Sequence, residues 1–165
     1  MVFPTEVKFD IDALKTEIDS TSESTAIYIG ADSKQFKRRG KKYIAYVTVL
    51  IIHYNGSRGA KIHKQITFEK DYGSFRQRLM KEVELAINVG YELADTIANR
   101  PFEIHLDINP DEKYRSSVLV KEATGYVMGM LGFKPKLKPE AFAASAVSDR
   151  WAVKNAKKYK TRGKS

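Results

Sequence analysis

The sequence predicts an α/β fold in which a three-stranded antiparallel meander is followed by two parallel strands, with helices on both faces of the sheet. Strand-like runs of apolar and β-branched residues dominate residues 26–68, where Asn55-Gly56 is a typical hairpin turn. From residue 73 onward, segments with helical spacing alternate with short strand-like segments. The chain has 165 residues, of which 42% are hydrophobic, so it is long enough to bury one core.

The first half of the chain contains one predicted helix and the meander. The helix covers residues 10–20, and Asp10 or Asp12 can cap its start. A polar loop over residues 21–25 follows. Strands are predicted over residues 26–32, 43–54 and 60–68. The basic residues between the first two strands are expected to form a loop.

The second half alternates helices and strands. Helices are predicted over residues 73–99, 111–132 and 140–156, and strands over residues 102–108 and 136–138. Each later strand is reached through a helix, so both are expected to run parallel to the first strand through right-handed crossovers. This order of elements is the ribonuclease-H-like arrangement. We expect residues 1–153 to form a single domain, with residues 1–25 as an N-terminal helical extension and residues 154–165 as a basic C-terminal tail.

Composition limits the chemistry and the compartment. The chain has no cysteine, which excludes disulfide scaffolds, thiolate metal sites and cysteine nucleophiles, so any metal is expected to be bound by oxygen. Residues 1–9 lack a basic region followed by an apolar run, and the longest apolar stretch, residues 47–52, has the length of a strand. We therefore expect a cytoplasmic protein with no membrane partner.

The net charge of +9 comes mainly from basic segments. Residues 154–165 hold six basic residues and no acidic one, whereas the first 153 residues carry 23 basic and 20 acidic groups. A second basic cluster lies in the expected loop. Two separated cationic segments suit a nucleic-acid backbone, and the alternative is a solvated tail with a solubilising loop. The predicted nucleic-acid-binding residues are Lys34, Lys37, Arg38, Arg39, Lys41, Lys42, Lys154, Lys157, Lys158, Lys160 and Arg162.

Two aspartates are predicted to lie at one edge of the sheet. Asp32 ends the first strand. Strand alternation places His105 and Asp107 on one face of the fourth strand, which Asp107 ends. If these strands are parallel neighbours, both carboxylates reach the carboxyl edge of the sheet, where open α/β sheets bind ligands.

Two helices add acids to the same edge. A helical wheel places Glu82 in an apolar seam between Leu79 and Ala86. Glu84 lies on the opposite side, and the same reasoning turns Asp149 inward on the last helix. Clustered carboxylates repel one another and resist burial unless a cation compensates them. The predicted catalytic and metal-binding acids are Asp32, Glu82, Asp107 and Asp149.

Four acids at one sheet edge are typical of two-metal phosphoryl transfer. Their oxygens suit Mg²⁺ or Mn²⁺, which activates the attacking water and stabilises the leaving oxygen. Each acid also has a structural alternative. Asp32 and Asp107 can cap turns, and Glu82 can pair with a nearby base. Asp149 can pair with Arg150.

His105 is an additional catalytic candidate. It shares a strand face with Asp107, so it can act as a proton shuttle or contact a phosphate, although it is not expected to bind metal. The alternative is a hydrogen-bonded structural histidine, which is the commoner role for a lone histidine on a strand.

Several segments of the chain have a distinctive sequence. They are Ile27-Tyr-Ile-Gly-Ala-Asp32-Ser, Phe75-Arg through Glu82, His105-Leu-Asp107-Ile, Leu119-Val-Lys-Glu122, and Phe133-Lys-Pro-Lys-Leu-Lys-Pro-Glu-Ala-Phe-Ala-Ala-Ser145 followed by Asp149-Arg150. Together they resemble the YkuK-like family of predicted ribonuclease-H-like nucleases, over roughly residues 25–153. The resemblance implies an acidic core of Asp32, Glu82 and Asp107. It implies an auxiliary role for Asp149, a position that can be asparagine in that family.

These observations predict a metal-dependent nuclease that hydrolyses phosphodiester bonds in RNA, a hybrid or structured DNA. One alternative is a non-catalytic nucleic-acid-binding module with the same fold. Another is a protein-interaction domain with a solubilising tail. Salt-dependent binding without cleavage would indicate the first alternative, and no binding at low salt would indicate the second.

Overall fold

The computed structural model describes residues 5–56 and 58–144 and has a mixed α/β architecture. Its strands are β1 (Ala26–Arg38), β2 (Lys41–His53), β3 (Ala60–Lys70) and β4 (Phe102–His105), and its helices are α1 (Ile11–Asp19), α2 (Phe75–Ile97) and α3 (Val120–Leu131). Short 3₁₀ helices lie at Tyr54–Gly56 and Arg115–Leu119. The four strands form one sheet in the order β3-β2-β1-β4.

The predicted meander and the predicted parallel neighbour of the first strand are both present. β1 pairs antiparallel with β2, which pairs antiparallel with β3. β4 pairs parallel with β1, and α2 makes the crossover between the meander and β4.

The basic segment predicted to be a loop is instead a strand extension. β1 continues past Asp32, and β1 and β2 pair over thirteen residues each. Arg39 and Gly40, both with positive φ, close the hairpin as a tight turn. Phe36 contacts Tyr43 across the two strands, with ring centroids 5.8 Å apart. This cross-strand packing stabilises the strand extension. The basic residues around Phe36 made the sequence look like a loop.

The connection between β2 and β3 is longer than the two-residue turn that Asn55-Gly56 predicts. His53 pairs with Ala60, so residues 54–59 join the strands. Asn55 has a φ of 50° inside a 3₁₀ turn, and its side-chain oxygen accepts hydrogen bonds from the hydroxyls of Ser22 and Ser24. These bonds tie the connection to the loop after α1.

The larger of two apolar clusters in the described residues lies between the sheet and the helices. Leu79 and Val83 of α2 are buried in the same cluster as Ile29 of β1. Leu14 and Ile18 of α1 belong to that cluster too, so the predicted N-terminal extension contributes to the core. Asp10 caps α1 as expected, because its carboxylate accepts a hydrogen bond from the backbone of the first turn.

The second half of the chain departs from the prediction first in the lengths of β4 and α3. β4 ends at His105, three residues early, and α3 begins at Val120 instead of residue 111. Residues 109–119 form turns and a 3₁₀ helix, because Asn109 and Asp111 accept hydrogen bonds from backbone amides two residues ahead. These side chains compete with helix formation.

The predicted fifth strand is reduced to a single parallel bridge between His105 and Lys136. Pro135 and Pro139 flank this segment and have no N–H to extend a ladder. The backbone becomes helical at Ala143, three residues later than predicted. The remainder of the predicted last helix lies outside the described residues. Within the described residues, none of the helices combines the length and apolar character needed to span a membrane.

Candidate acidic metal site

Three of the four predicted acids meet where β4 ends beside β1, although Asp32 lies within β1 and does not end this strand as the sequence predicts. Asp32 lies on β1, Glu82 on α2, and Asp107 two residues beyond the end of β4. Because Gly30 pairs in parallel with His105, the register places Asp107 beside Asp32. One carboxylate oxygen from each of the three acids lies within 4.8 Å of the others. Strand alternation and the helical wheel therefore identified a real cluster.

Glu82 is the buried member of this cluster. Its residue surface is 7% exposed, as the helical wheel predicts, and the Ser33 hydroxyl donates a hydrogen bond to Oε2. The other carboxylate oxygen, Oε1, is buried without a hydrogen-bond partner. Burial, with the nearby charges of Asp32 and Asp107, raises the pKa of Glu82 to about 8 against the opposing Ser33 hydrogen bond. Glu82 is therefore largely protonated at neutral pH when no cation binds it.

The two aspartates are less buried and differ in their partners. Burial raises the pKa of Asp32, assisted by the Asp107 charge and opposed by a 2.8 Å hydrogen bond that the backbone N–H of Ser33 donates to Oδ1. Asp107 forms an ion pair with Lys138. The hydrogen bond that Lys138 donates to Asp107 within this pair raises the pKa of Lys138, which therefore stays protonated.

The donor set fits a divalent cation such as Mg²⁺ or Mn²⁺. All three groups offer carboxylate oxygens, the ligands that these ions prefer. The unpartnered Oε1 of Glu82 supports this fit, because a buried polar atom without a partner is rare and a bound cation would compensate it. Asp149, the fourth predicted ligand, lies outside the described residues.

The acids line a cleft of about 400 Å³ together with the cationic residues Arg78, Arg115 and Lys138. The Arg115 guanidinium lies 3.9 Å from the centroid of the Phe75 ring, a cation–π contact. Arg78 lines the cleft and lowers the pKa of Glu82 through its charge. Tyr114, which is 45% exposed, lies beside Arg115. The cleft thus combines carboxylates with positive charge and aromatic rings.

Sequence reasoning missed Lys138, Arg78 and Arg115 as parts of the site. Lys138 belongs to the Lys-Pro-Lys-x-Lys-Pro run, so its position in a distinctive segment was the available signal. Arg78 lies in the distinctive segment from Phe75 through Glu82, one helical turn before Glu82, and this was the available signal for it. No sequence signal marked Arg115 as a site residue. The place of both arginines in the cleft depends on how α2 and the loop before α3 pack against each other.

His105 has a different environment from the acids. It is 2% exposed, and burial lowers its pKa despite the opposing hydrogen bond with Glu103. Its Nδ1 accepts hydrogen bonds from the backbone N–H groups of Phe142 and Ala143, at 3.0 and 3.1 Å. Nε2 therefore carries the proton and donates it to Glu103 Oε1 at 2.8 Å. Both ring nitrogens are engaged, so this environment supports the structural alternative for His105.

The predicted nucleic-acid-binding residues divide into two groups. Lys34, Lys37, Arg38, Arg39, Lys41 and Lys42 lie on or at the tip of the β1–β2 extension. At about 3.3 Å per residue, the tip of this extension lies on the order of 20 Å along β1 from Asp32. The predicted tail residues lie outside the described part of the chain.

Comparison with known protein families gives a match, which is consistent with the observed fold. A model of the ribonuclease H-like family matches residues 10–153, and the chain belongs to this family. The match includes α1 and all three clustered acids. Neither the curated proteins nor the solved structures contain a significant match. The narrower resemblance to YkuK-like proteins stays a prediction.

Proposed function

We propose that this protein is a metal-dependent nuclease that hydrolyses phosphodiester bonds in RNA, a hybrid or structured DNA. The observation that carries the proposal is the meeting of three carboxylates from separate elements around an unpartnered, buried oxygen of Glu82. Membership of the ribonuclease H-like family supports a nuclease or nucleic-acid-related function. Nucleases of this family typically use divalent metals.

Asp32, Glu82 and Asp107 would hold Mg²⁺ or Mn²⁺ through their carboxylate oxygens. Divalent ions bound there would supply activation of the attacking water and stabilisation of the leaving oxygen in a two-metal reaction. The protein positions these ligands: the Ser33 hydroxyl orients Glu82 through Oε2, which leaves Oε1 for a cation. Asp149 is proposed as an auxiliary ligand.

We assign His105 a positioning role in place of the shuttle that its sequence position suggests. Its Nδ1 holds the backbone at Phe142 and Ala143, where the helical turn begins. This contact sets the start of the segment that leads towards Asp149.

The cationic side chains that line the cleft would bind the nucleic-acid backbone. Arg78 and Arg115 line the cleft that the acids occupy, so a strand whose scissile phosphate reaches Asp32 could place neighbouring phosphates against them. The basic β1–β2 extension would contact phosphates farther from the reaction centre. These contacts carry little base-sequence information, which suits a nuclease with broad sequence tolerance.

One observation favours the non-catalytic binding module instead. Lys138 already neutralises Asp107, as would be expected of an acidic cluster that no longer depends on metal. A module of this kind would keep the cationic cleft and the extension, and would bind nucleic acid without cleaving it.

Cleavage assays distinguish the two functions. Labelled RNA, DNA and hybrid oligonucleotides are incubated with Mn²⁺ or Mg²⁺ and the wild type, Asp32→Asn or Glu84→Gln. We expect the wild type to cleave at least one substrate, and Asp32→Asn to be slower by about 100-fold or more, since loss of even supporting groups around a metal reduces activity about 10- to 100-fold. Glu84→Gln, whose side chain is 43% exposed, is the matched control and should stay within a few fold of the wild type.

Two outcomes would contradict the nuclease. Cleavage that persists in Asp32→Asn would place the reaction elsewhere or in a contaminant. Salt-dependent binding by the wild type without cleavage of any substrate would establish the binding module.

A further inference from the structure

We propose that Lys138 is a built-in competitor of the divalent cation, which pairs with Asp107 in the metal-free protein and is displaced when metal binds. This inference rests on the proposed metal site. It concerns the metal affinity of the acids and their stabilisation in the metal-free protein, which are properties separate from catalysis.

The first support is the position of the ammonium group. Lys138 Nζ pairs with Asp107 Oδ1, and Asp107 is one of the three acids whose oxygens cluster within 4.8 Å. Lys138 also lines the cleft with Asp32 and Glu82, and both of these carboxylates act electrostatically on it. The ammonium therefore lies where a cation bound to Asp107 would experience its positive charge.

The second support is the backbone that carries Lys138. The backbone N–H of Lys138 donates to the carbonyl of Ile108 at 3.0 Å. Two residues earlier, Lys136 donates to Ile104 and accepts from Leu106, at 2.8 and 2.9 Å. These bonds align residues 136–138 with the chain that follows β4. The backbone is thus held beside Asp107, so the pair does not depend on a freely moving loop.

The third support is that the ion pair can be exchanged. The Lys138 side chain is 45% exposed and that of Asp107 is 33% exposed. A lysine has a long, flexible stem, so its ammonium can leave Asp107 for water without moving the backbone. A divalent ion carries twice the charge in the same region. The two cations repel each other, and their binding to Asp107 is mutually unfavourable.

The test measures metal affinity directly. Mn²⁺ binding to the full chain is followed by titration calorimetry and by the electron paramagnetic resonance signal of free Mn²⁺. We expect Lys138→Met to bind Mn²⁺ about fivefold more tightly than the wild type, which corresponds to about 1 kcal/mol, the upper range for a partly exposed ion pair. Lys138→Arg keeps the charge and should stay close to the wild-type affinity.

Lys136→Met is the matched control. Lys136 lies two residues away and its side chain is 44% exposed, but it pairs with Glu140 instead of a clustered acid. Its Mn²⁺ affinity should equal that of the wild type. Lys138→Gln serves as a second neutral variant if Lys138→Met does not fold, as judged by circular dichroism.

The outcomes separate this inference from the proposed function. Wild-type binding of Mn²⁺ with equal or weaker binding by the neutral Lys138 variants overturns the competition alone, because Lys138 would then be a passive surface pair or a support for the ligands. Absence of Mn²⁺ binding by the wild type and by every variant overturns the metal site itself, and the competition with it.

Discussion

Replacing Glu82 with glutamine is expected to change the pH dependence of stability in the metal-free protein. Glu82 has a pKa of about 8 in the folded chain against an ordinary value of 4.5, with burial as the largest cause. The folded protein therefore binds a proton at Glu82 that the unfolded chain has lost between these pH values. The contribution of Glu82 to stability therefore falls as pH rises from about 4.5 to about 8 and then levels off.

The size of this effect follows from the difference between the two pKa values. Each pKa unit corresponds to about 1.4 kcal/mol, so the full difference of roughly 3.5 units gives an upper limit of about 5 kcal/mol. Local relaxation and water entry reduce this limit, and we expect about 2–4 kcal/mol.

The glutamine side chain in Glu82→Gln would remain neutral at every pH. Its amide oxygen can accept the Ser33 hydrogen bond while its NH₂ group takes the place of the unpartnered Oε1.

The assay is urea unfolding in EDTA at pH 5, 7 and 9. Relative to wild type, Glu82→Gln should be close in stability at pH 5 and more stable by about 2–4 kcal/mol at pH 9. Glu84→Gln, with its 43% exposed side chain on the same helix, should track the wild type at all three values. A stability difference between Glu82→Gln and wild type that is the same at pH 5 and pH 9 would refute the reasoning.

Two further predictions concern nucleic-acid binding in EDTA, measured by fluorescence anisotropy over a range of salt concentrations. Arg115→Ala should weaken binding and lower the log–log salt slope by about 0.7 to 0.9, the contribution of one phosphate, because it removes a cation from the cleft. Arg76→Ala, which removes an arginine paired with Glu122 outside that cleft, should leave the slope unchanged. An equal loss for both variants would show that only net charge matters. Deleting residues 154–165 removes six basic residues and should lower affinity for all sequences alike and flatten the salt dependence further. An unchanged slope would mean that the tail does not contact phosphates.

The acids were predictable because local periodicity controls where they point. Strand alternation predicted the side of the sheet on which Asp32 and Asp107 lie, although Asp32 lies within β1 and Asp107 lies two residues beyond β4. The 3.6-residue period of α2 separated buried Glu82 from half-exposed Glu84. The right-handed crossover rule then brought β1 and β4 together in parallel. None of these steps needed a contact between distant segments to be known in advance.

The lengths of the elements were less predictable. β1 runs to Arg38 because a partner strand continues beside it, with Phe36 packed on Tyr43. β4 stops at His105, where its pairing with β1 ends at Gly30 and the next backbone N–H, that of Leu106, donates to Lys136 instead. Where a strand ends depends on which neighbour supplies its hydrogen bonds, and an isolated segment does not contain that information.

By itself, the sequence determined the mixed α/β fold and three acids of the candidate site, since both follow from repeating patterns within single elements. Tertiary structure alone decided that Lys138 pairs with Asp107 and that Arg115 lies over the Phe75 ring in the lining of the cleft. Lys138 comes 31 positions after Asp107 in the sequence, and Arg115 comes 40 positions after Phe75. Contacts over such separations are set by the register of strands and the packing of helices, so the charges that surround the acids emerge only when the whole chain is folded.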